Sequence, residues 1–378
     1  MASPGRQIRV AIVVPTHWDF LMGGAQLQAK ILLEELVSRP GVDVNYLASR
    51  VNADAKTGSD YTLTQITKPG ALHRYGLFWD FLSLQRRLTE YQPHVIYQRV
   101  ATAYTGISAR YAQKNNIPMI WHVANSTDCA VSRFGLSAIR RPHGYLEKSL
   151  IEYGLKNADT IVVQNKDQQD QLRNNFGNEN AVLIPNFHPV PPTPEEREAS
   201  PLRLIWIANL KDNKQPHAMV EIAKRLKNHA DVQITMVGAP HLQIERDKQE
   251  KFERSISNLP NLTYTGAIPL EEANSLLEQT HILVNTSVKE GFSNTFIQAW
   301  MRCVPVFTLG VNPDNRLDGG PLGTAFTSIE ALVAAVEDLK QNYPQHVENG
   351  RVAREIAKRD FSLDNASTLA DLVLSKTS

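Results

Sequence analysis

Short apolar runs of strand length, each followed by a stretch with helical spacing, recur along this chain, and that alternation confines it to few folds. Residues 8–14 form a run rich in Ile and Val, closed by Pro15 and followed by a Gly23-Gly24 loop. From Ala25 onward Leu27, Ile31, Leu32 and Leu36 fall on one helical face. Residues 44–48, 95–97, 118–121, 158–163 and 182–186 repeat the strand theme, with helices expected over 78–88, 106–114 and 145–155. Such near-continuous apolar strands, separated by helices, belong to parallel sheets covered on both faces. Residues 189–200, PVPPTPEEREAS, have no apolar period and read as a linker. The alternation then restarts at 204–207, 232–237, 262–266 and 281–285, with helices near 244–258, from 269, over 329–339 and from 363. Residues 318–323 read as loop. At 378 residues the chain is long for one domain, so the expectation is two doubly wound domains.

Composition narrows the function classes. A formal net charge of +1 argues against a general nucleic-acid binder. The two cysteines, Cys129 and Cys303, lack metal-ligand spacing, which fits a reduced, cytoplasmic setting. No run reaches the length of a membrane-spanning helix or of a signal-peptide core with a cleavage site. Charge is nonetheless uneven, since residues 71–150 hold ten Lys and Arg against four Asp and Glu. Within them, Arg133, Arg140 and Arg141 interleave with Phe134, Leu136 and Ile139. That pattern suits peripheral contact with an anionic membrane, and equally a solvated loop that shapes an acceptor pocket.

The most informative stretch is 281–306. A strand-length run ends at Asn285, a turn passes through Glu290 and Gly291, and Ser293 or Asn294 can cap a helix reaching about Arg302 before Val304-Pro305-Val306 opens another strand. A helix N-terminus reached through a tight turn is a ready anion site, most often for phosphate. A carboxylate beside phosphate would be repelled, so Glu290 is better suited to accepting hydrogen bonds from neutral hydroxyls. Phosphate and hydroxyls together suggest a nucleotide-sugar. An ordinary strand-to-helix connection with a solvated Glu fits the same residues.

EGFSNTFIQA followed by VPV resembles the EGF-x-NT-x-x-EA-x-x-x-x-x-PV signature of the family 4 glycosyltransferases. The resemblance implies the GT-B fold, with two Rossmann-like doubly wound domains facing across a cleft, and mostly retaining sugar transfer. The expected divisions are an acceptor-side domain over 1–188, a linker over 189–202, a nucleotide-sugar domain over 203–362, and a C-terminal helix over 363–378 packed back on the first domain. In the family the first motif acid binds donor-sugar hydroxyls and the second holds the ribose. Here these positions are Glu290 and Gln298, and Cys303 stands where the family usually has Gly. GGAQ at 23–26 resembles the family's GGA-E loop, which points to Gly23 and Gly24 as an acceptor-side or phosphate loop. ANLKDNK resembles the G-R-L-x-x-x-K segment that clamps the donor diphosphate, with Asn209 for Arg and Lys214 kept. A lysine still neutralises phosphate as a point charge, but the bidentate fork is gone. His122, at the end of the WH strand, matches a family His that faces the donor sugar.

These resemblances assign Glu290 and His122 to the reacting sugar. Lys214, Asn209, Gly291, Phe292, Ser293, Asn294, Thr295 and Gln298 would bind the donor. The co-substrate is a nucleoside-diphosphate sugar, and the acceptor a glycan or lipid-linked molecule. No cofactor is expected, and with no DxD-type pair at a strand end no metal is indicated. The protein is expected in the cytoplasm, peripheral on the inner face of the membrane. A non-catalytic nucleotide-sugar binder and a GT-B-shaped sugar-nucleotide epimerase are the alternatives. A dehydrogenase is disfavoured because no GxGxxG follows the first strand.

Overall fold

A computed structural model describes residues 7–52, 60–67, 76–129, 142–240 and 246–377. The basic segment 130–141 and parts of 50–75 lie outside the described residues. The chain folds as two compact units, Met1–Phe187 with Leu363–Ser378, and His188–Ser362.

The first unit runs β1 (Ile8–Val13), α1 (Gly24–Val37), β2 (Val42–Ala48), β3 (Thr62–Gln65), α2 (Gly76–Tyr91), β4 (Val95–Arg99), α3 (Ala103–Asn115), β5 (Met119–His122), α4 (Pro142–Asn157), β6 (Thr160–Val163), α5 (Lys166–Phe176) and β7 (Val182–Leu183). Its strands pair in the order β3-β2-β1-β4-β5-β6-β7, all parallel. Apart from Arg9 near its start, β1 is apolar, and its packing shows why. Val10, Ile12 and Val14 enter one core, while Ala11 and Val13 enter the other on the opposite face. Successive side chains alternate across a strand, so a sheet covered twice needs apolar residues at every position. The last helix, α12 (Asp364–Ser375), belongs to this unit and inserts Ala366, Leu369, Ala370 and Val373 beside α1. Ser367 Oγ donates to Glu35 Oε1 at 3.0 Å across that contact.

The second unit repeats the plan. It contains β8 (Leu202–Ile207), α6 (Pro216–Arg225), β9 (Val232–Val237), α7 (Arg246–Ile256), β10 (Leu262–Gly266), α8 (Leu270–Glu278), β11 (Ile282–Asn285), α9 (Asn294–Trp300), β12 (Val306–Leu309), β13 (Asp318–Gly320), β14 (Gly323–Phe326), α10 (Ile329–Leu339) and α11 (Tyr343–Phe361). The strand order is β10-β9-β8-β11-β12-β14-β13, parallel except for the β13–β14 pair. Leu204 and Trp206 pack on one face of β8 and Ile205 on the other.

One difference from the sequence expectation lies in the second sheet. Residues 318–323 are not loop, because β13 and the start of β14 lie there. Gly323, at φ +129°, lets β14 come against β12; a Cβ there would stand 1.8 Å from the Val306 carbonyl oxygen. That close approach is a tertiary demand with no local apolar pattern. The proline-rich segment has no regular element, yet it is fastened along the second unit. Arg197 donates to the carbonyls of Glu278 (2.9 Å) and Arg302 (2.6 Å), and Arg354 to that of Pro191 (2.6 Å).

Candidate active site

In the second unit the polar groups collect where strands β8 and β11 end. After β8 the chain makes a 3₁₀ turn, Asp212–Lys214, passes through Gln215 at φ +46° and enters α6 at Pro216. After β11 it runs through Thr286 to Gly291 into α9. Several hydrogen bonds tie β8 and its loop to the loop after β11. Thr286 Oγ1 donates to the Lys214 carbonyl at 2.7 Å, Trp206 Nε1 donates to Thr286 Oγ1 at 2.9 Å, and Val288 N–H donates to Asn213 O at 2.9 Å. The backbone of the first loop also abuts the turn after β9, where a Cβ on Gly238 would overlap Ala208 O.

This fastening brings Lys214 and Glu290 together. Lys214 Nζ forms an ion pair with Glu290 Oε1, with the two side chains 23% and 12% exposed. The same oxygen accepts from Ser287 Oγ at 2.8 Å and from Asn285 Nδ2 at 3.3 Å. Asn285 in turn accepts from the Ser287 N–H at 3.0 Å. The sequence reading placed Lys214 on phosphate and Glu290 on sugar hydroxyls, without expecting each to hold the other. It also missed Asn285 and Ser287, whose signal was polar residues directly after an apolar strand.

Helix α9 starts at Asn294 with Ser293 as its N-cap in extended backbone. The Ser293 side chain meets Thr295 Oγ1 at 2.8 Å and makes no bond to the helix backbone. Ser293, Asn294 and Thr295 are half-buried; Gly291 and Phe292 are buried, with the Phe292 ring packed 4.9 Å from that of Phe361. Phe292 therefore has only its backbone amide to offer a ligand. Asn294 Oδ1 lies 3.0 Å from Nε2 of His188, a residue the sequence reading passed over. Burial pushes the His188 pKa down to about 4, so the ring is neutral and Nε2–H is the donor. Gln298 is buried on α9, and Asn209 is half-buried in the loop after β8; neither side chain joins the Lys214–Glu290 pair. Among the described residues no group of three or more His, Cys, Asp or Glu could hold a metal ion.

In the first unit, Gly23 caps α1 in extended backbone at φ −138° and Gly24 opens the helix. A Cβ on Gly23 would meet only the flexible Gln26 amide. Phe20, Leu21 and Met22, just before it, are exposed. His122 closes β5 and is wholly buried. Its Nδ1 lies 2.8 Å from the Tyr97 hydroxyl and 2.8 Å from Arg99 Nη1. Burial first, and the Arg99 charge second, hold its pKa well below the ordinary value, so it is neutral. Arg99 was not singled out from sequence.

Two parallel-dominated sheets with polar residues gathered at their carboxyl ends define a two-unit α/β enzyme of the GT-B type. Comparison with known proteins gives the family. A model described as "Glycosyltransferase Family 4" matches residues 22–189, and one described as "Glycosyl transferases group 1" matches residues 201–342. Between them they span most of the chain, which belongs to these glycosyltransferases. No curated protein sequence matches it. Solved structures similar to it include sucrose-phosphate synthase from Thermosynechococcus elongatus, with TM-score 0.76, 13% identity and 98% of each chain covered. HepE from Anabaena, in complex with UDP and glucose, gives TM-score 0.74 at 14% identity over 97% of this chain and 99% of that one. WaaG, a glycosyltransferase involved in lipopolysaccharide biosynthesis, gives TM-score 0.74 at 12% identity over 96% and 99%. At such identities these likenesses establish the fold.

Proposed function

We infer that this glycosyltransferase moves a sugar from a UDP-sugar to a glycan or lipid-linked acceptor in cell-surface polysaccharide synthesis, with retention at the anomeric carbon and without a metal. The observation that carries the reading is the Lys214–Glu290 pair, held at the ends of β8 and β11 in the turn that leads into α9. The solved complexes of HepE with UDP and with UDP-glucose support the choice of donor.

In this reading the donor diphosphate draws Lys214 away from Glu290, and each then has its own work. Lys214 and the first N–H groups of α9, at Asn294 and Thr295 with Ser293 as cap, neutralise the leaving phosphate. Glu290, freed of its cation and still held by Ser287 and Asn285, accepts from sugar hydroxyls beside the amides of Gly291 and Phe292. Asn209 gives the diphosphate one neutral hydrogen bond, and Gln298 takes the ribose. The acceptor oxygen attacks the anomeric carbon as its bond to the diphosphate breaks, and the acceptor proton passes to the leaving phosphate on the same face. The first unit supplies the acceptor side through Gly23 and Gly24. The family resemblance gives His122 a role at the donor sugar. Peripheral membrane contact, at the inner face of a cytoplasmic membrane, falls to α2 and α4, where Trp79, Leu82, Tyr145 and Leu146 are exposed. No helix among the described residues is long and apolar enough to cross a membrane.

The test is thermal stabilisation of the purified protein by UDP, GDP, ADP and CMP, with and without chelator. A micromolar binder at millimolar concentration adds about 4 kcal/mol. A shift with UDP that chelator leaves unchanged, and that Lys214→Ala weakens, is expected. A shift abolished by chelator ends the metal-free mechanism, and stabilisation by another nucleotide alone ends the assignment to UDP.

A further inference from the structure

The carboxyl end of the first sheet holds a positive charge that no acidic group among the described residues is seen to answer. Arg99 ends β4 and is 1% exposed. Its guanidinium meets the Tyr97 hydroxyl at 3.3 Å, His122 Nδ1 at 2.8 Å and Nε2 at 3.1 Å, and Asn186 Oδ1 at 3.2 Å. All of these are neutral, and Arg99 Nε has no partner among the described residues. The surrounding network is neutral as well, since Asn186 Nδ2 donates to Gln164 Oε1 at 3.3 Å and Gln164 Nε2 to the Val123 carbonyl at 2.7 Å.

The other buried arginines are treated differently. Arg302 pairs with Glu278 at 3.3 Å, and Arg354 donates to the Met301 carbonyl just past α9, where the helix dipole is negative. At Arg99 the dipole works the other way, because α3 begins four residues later and turns its positive end to the same strand ends. A buried cation without a counter-charge is unfavourable and needs a reason.

Two further observations bear on that reason. The strand order reverses direction between β1 and β4, so Arg99 stands at the switch point where ligands of open α/β sheets gather. The next residue, Val100, sits at φ +73°, in the left-handed region that a β-branched side chain rarely adopts. It is held there by Gln98 Nε2, which donates to the carbonyls of Arg99 (2.9 Å) and Val100 (2.7 Å). Strain of this kind collects at functional sites.

We propose that Arg99, with Asn186 beside it, is the floor of an anion subsite that takes a phosphate or carboxylate group carried by the acceptor. This deepens the reading of the first unit as the acceptor side and rests on it. At 1% exposure the guanidinium is reached only after a local shift, and strained Val100 is the neighbour that loses least by moving. The incoming anion supplies the counter-charge, and the planar guanidinium can bind two of its oxygens at once.

The donor diphosphate is the other source of the same chemistry, so the test separates the two. The thermal midpoint of the full chain is followed against inorganic phosphate for wild type, Lys214→Ala, Arg99→Met and Arg99→Lys. Phosphate is expected to stabilise wild type and Lys214→Ala with similar half-saturation, to act at least tenfold more weakly on Arg99→Met, and to keep part of its effect on Arg99→Lys. A phosphate effect lost in Lys214→Ala and intact in Arg99→Met assigns all binding to the donor loop and overturns the proposal, as does no effect on wild type. Should Arg99→Met not fold, wild-type crystals soaked in tungstate decide. Density beside Arg99 supports the subsite, and density only beside Lys214, or none, overturns it. If no nucleotide stabilises the protein while the Arg99-dependent effect persists, the donor reading fails and the subsite stands. Nucleotide binding without that effect removes the subsite alone.

Discussion

The two units end their parallel sheets in the same way and charge those ends in opposite ways. In the second unit Lys214 is paired with Glu290, and both keep some exposure. In the first, Arg99 is enclosed and its partners among the described residues are all neutral. A paired, half-open site exchanges one partner for another at modest cost, because water screens each group as it is released. An enclosed charge is hardly screened, so its energy depends on whether a counter-ion arrives. The same βα architecture thus gives one site that trades partners and one that is incomplete.

The largest effect is expected from breaking the paired site. Glu290→Ala should lower kcat/KM by about 10²–10³-fold, the scale of losing one preorganised polar contact to a reacting group. Its thermal midpoint should stay near wild type, because Lys214 is open enough to be solvated. Lys214→Ala should weaken donor binding more than it slows the chemistry. Steady-state kinetics with far-ultraviolet circular dichroism separates these outcomes, and wild-type turnover in Glu290→Ala would remove Glu290 from the site.

The second unit also buries histidines, and burial keeps them neutral as it does His122. His281 Nδ1 accepts the Arg203 N–H at 2.9 Å while Nε2–H donates to the Glu198 carbonyl at 3.0 Å. Burial lowers its pKa from 6.5 to about 4. Above pH 6.5 both folded and unfolded forms are neutral and the stability is fully present. Between 6.5 and about 4 the unfolded chain takes up the proton first, so stability falls by up to about 3 kcal/mol from this group, and below that it falls no further. Denaturant titrations at stepped pH should show the loss, and His281→Asn should remove close to one proton from the slope. Protonation takes place at Nδ1 and breaks the bond it accepts from the Arg203 N–H, while Nε2–H keeps its contact with the Glu198 carbonyl. An unchanged slope in the variant would mean that another group carries the acid sensitivity.

A smaller change sharpens the donor side. Gln298→Glu restores a carboxylate where the family has one, and a charge-assisted bond to a ribose hydroxyl should tighten donor binding about fivefold. Calorimetric titration with UDP checks this, and a complete loss of binding would place the ribose elsewhere.

How much of this was legible follows the physics of each residue. The β1, β8 and β11 runs were readable because both faces of each strand are buried, which forces a largely apolar sequence broken only near the strand ends, at Arg9, Arg203 and Asn285. The 23–24 and 290–295 turns were readable because glycine and capping residues mark strand-to-helix joins. Helix α5, KDQQDQLRNNF, was not seen because it buries only Gln168 and Leu172. Helix α11 buries mainly Gly350, Ala353, Arg354, Ala357 and Phe361, so its inner face carries small and charged residues rather than a Leu or Ile stripe. At the sites, Lys214 and Glu290 stood out by type and position. Their pairing did not, since it joins residues 76 apart through bonds made by Thr286 and Asn213. Arg99 read as one more basic residue because burial without a counter-ion has no sequence mark.

The finest contrast lies in backbone strain. Val100 in the first unit and Cys303 in the second are both held at positive φ, +73° and +57°. Cys303 follows α9, away from the ion pair, at a position where the family usually has glycine. Val100 adjoins Arg99. At such positions glycine avoids the Cβ clash, so each Gly variant should be more stable than its Ala counterpart by about 1 kcal/mol. Activity should divide them. Cys303→Gly is expected to keep wild-type kcat/KM, because that bend lies past the carboxyl end of α9, whereas Glu290 and Asn294 stand at its amino end. Val100→Gly frees the chain beside Arg99 and should lower kcat/KM about tenfold through lost positioning. Equal activity in both Gly variants would make the Val100 bend merely a tight corner, and the two strained residues would then be equivalent where the charged sites are not.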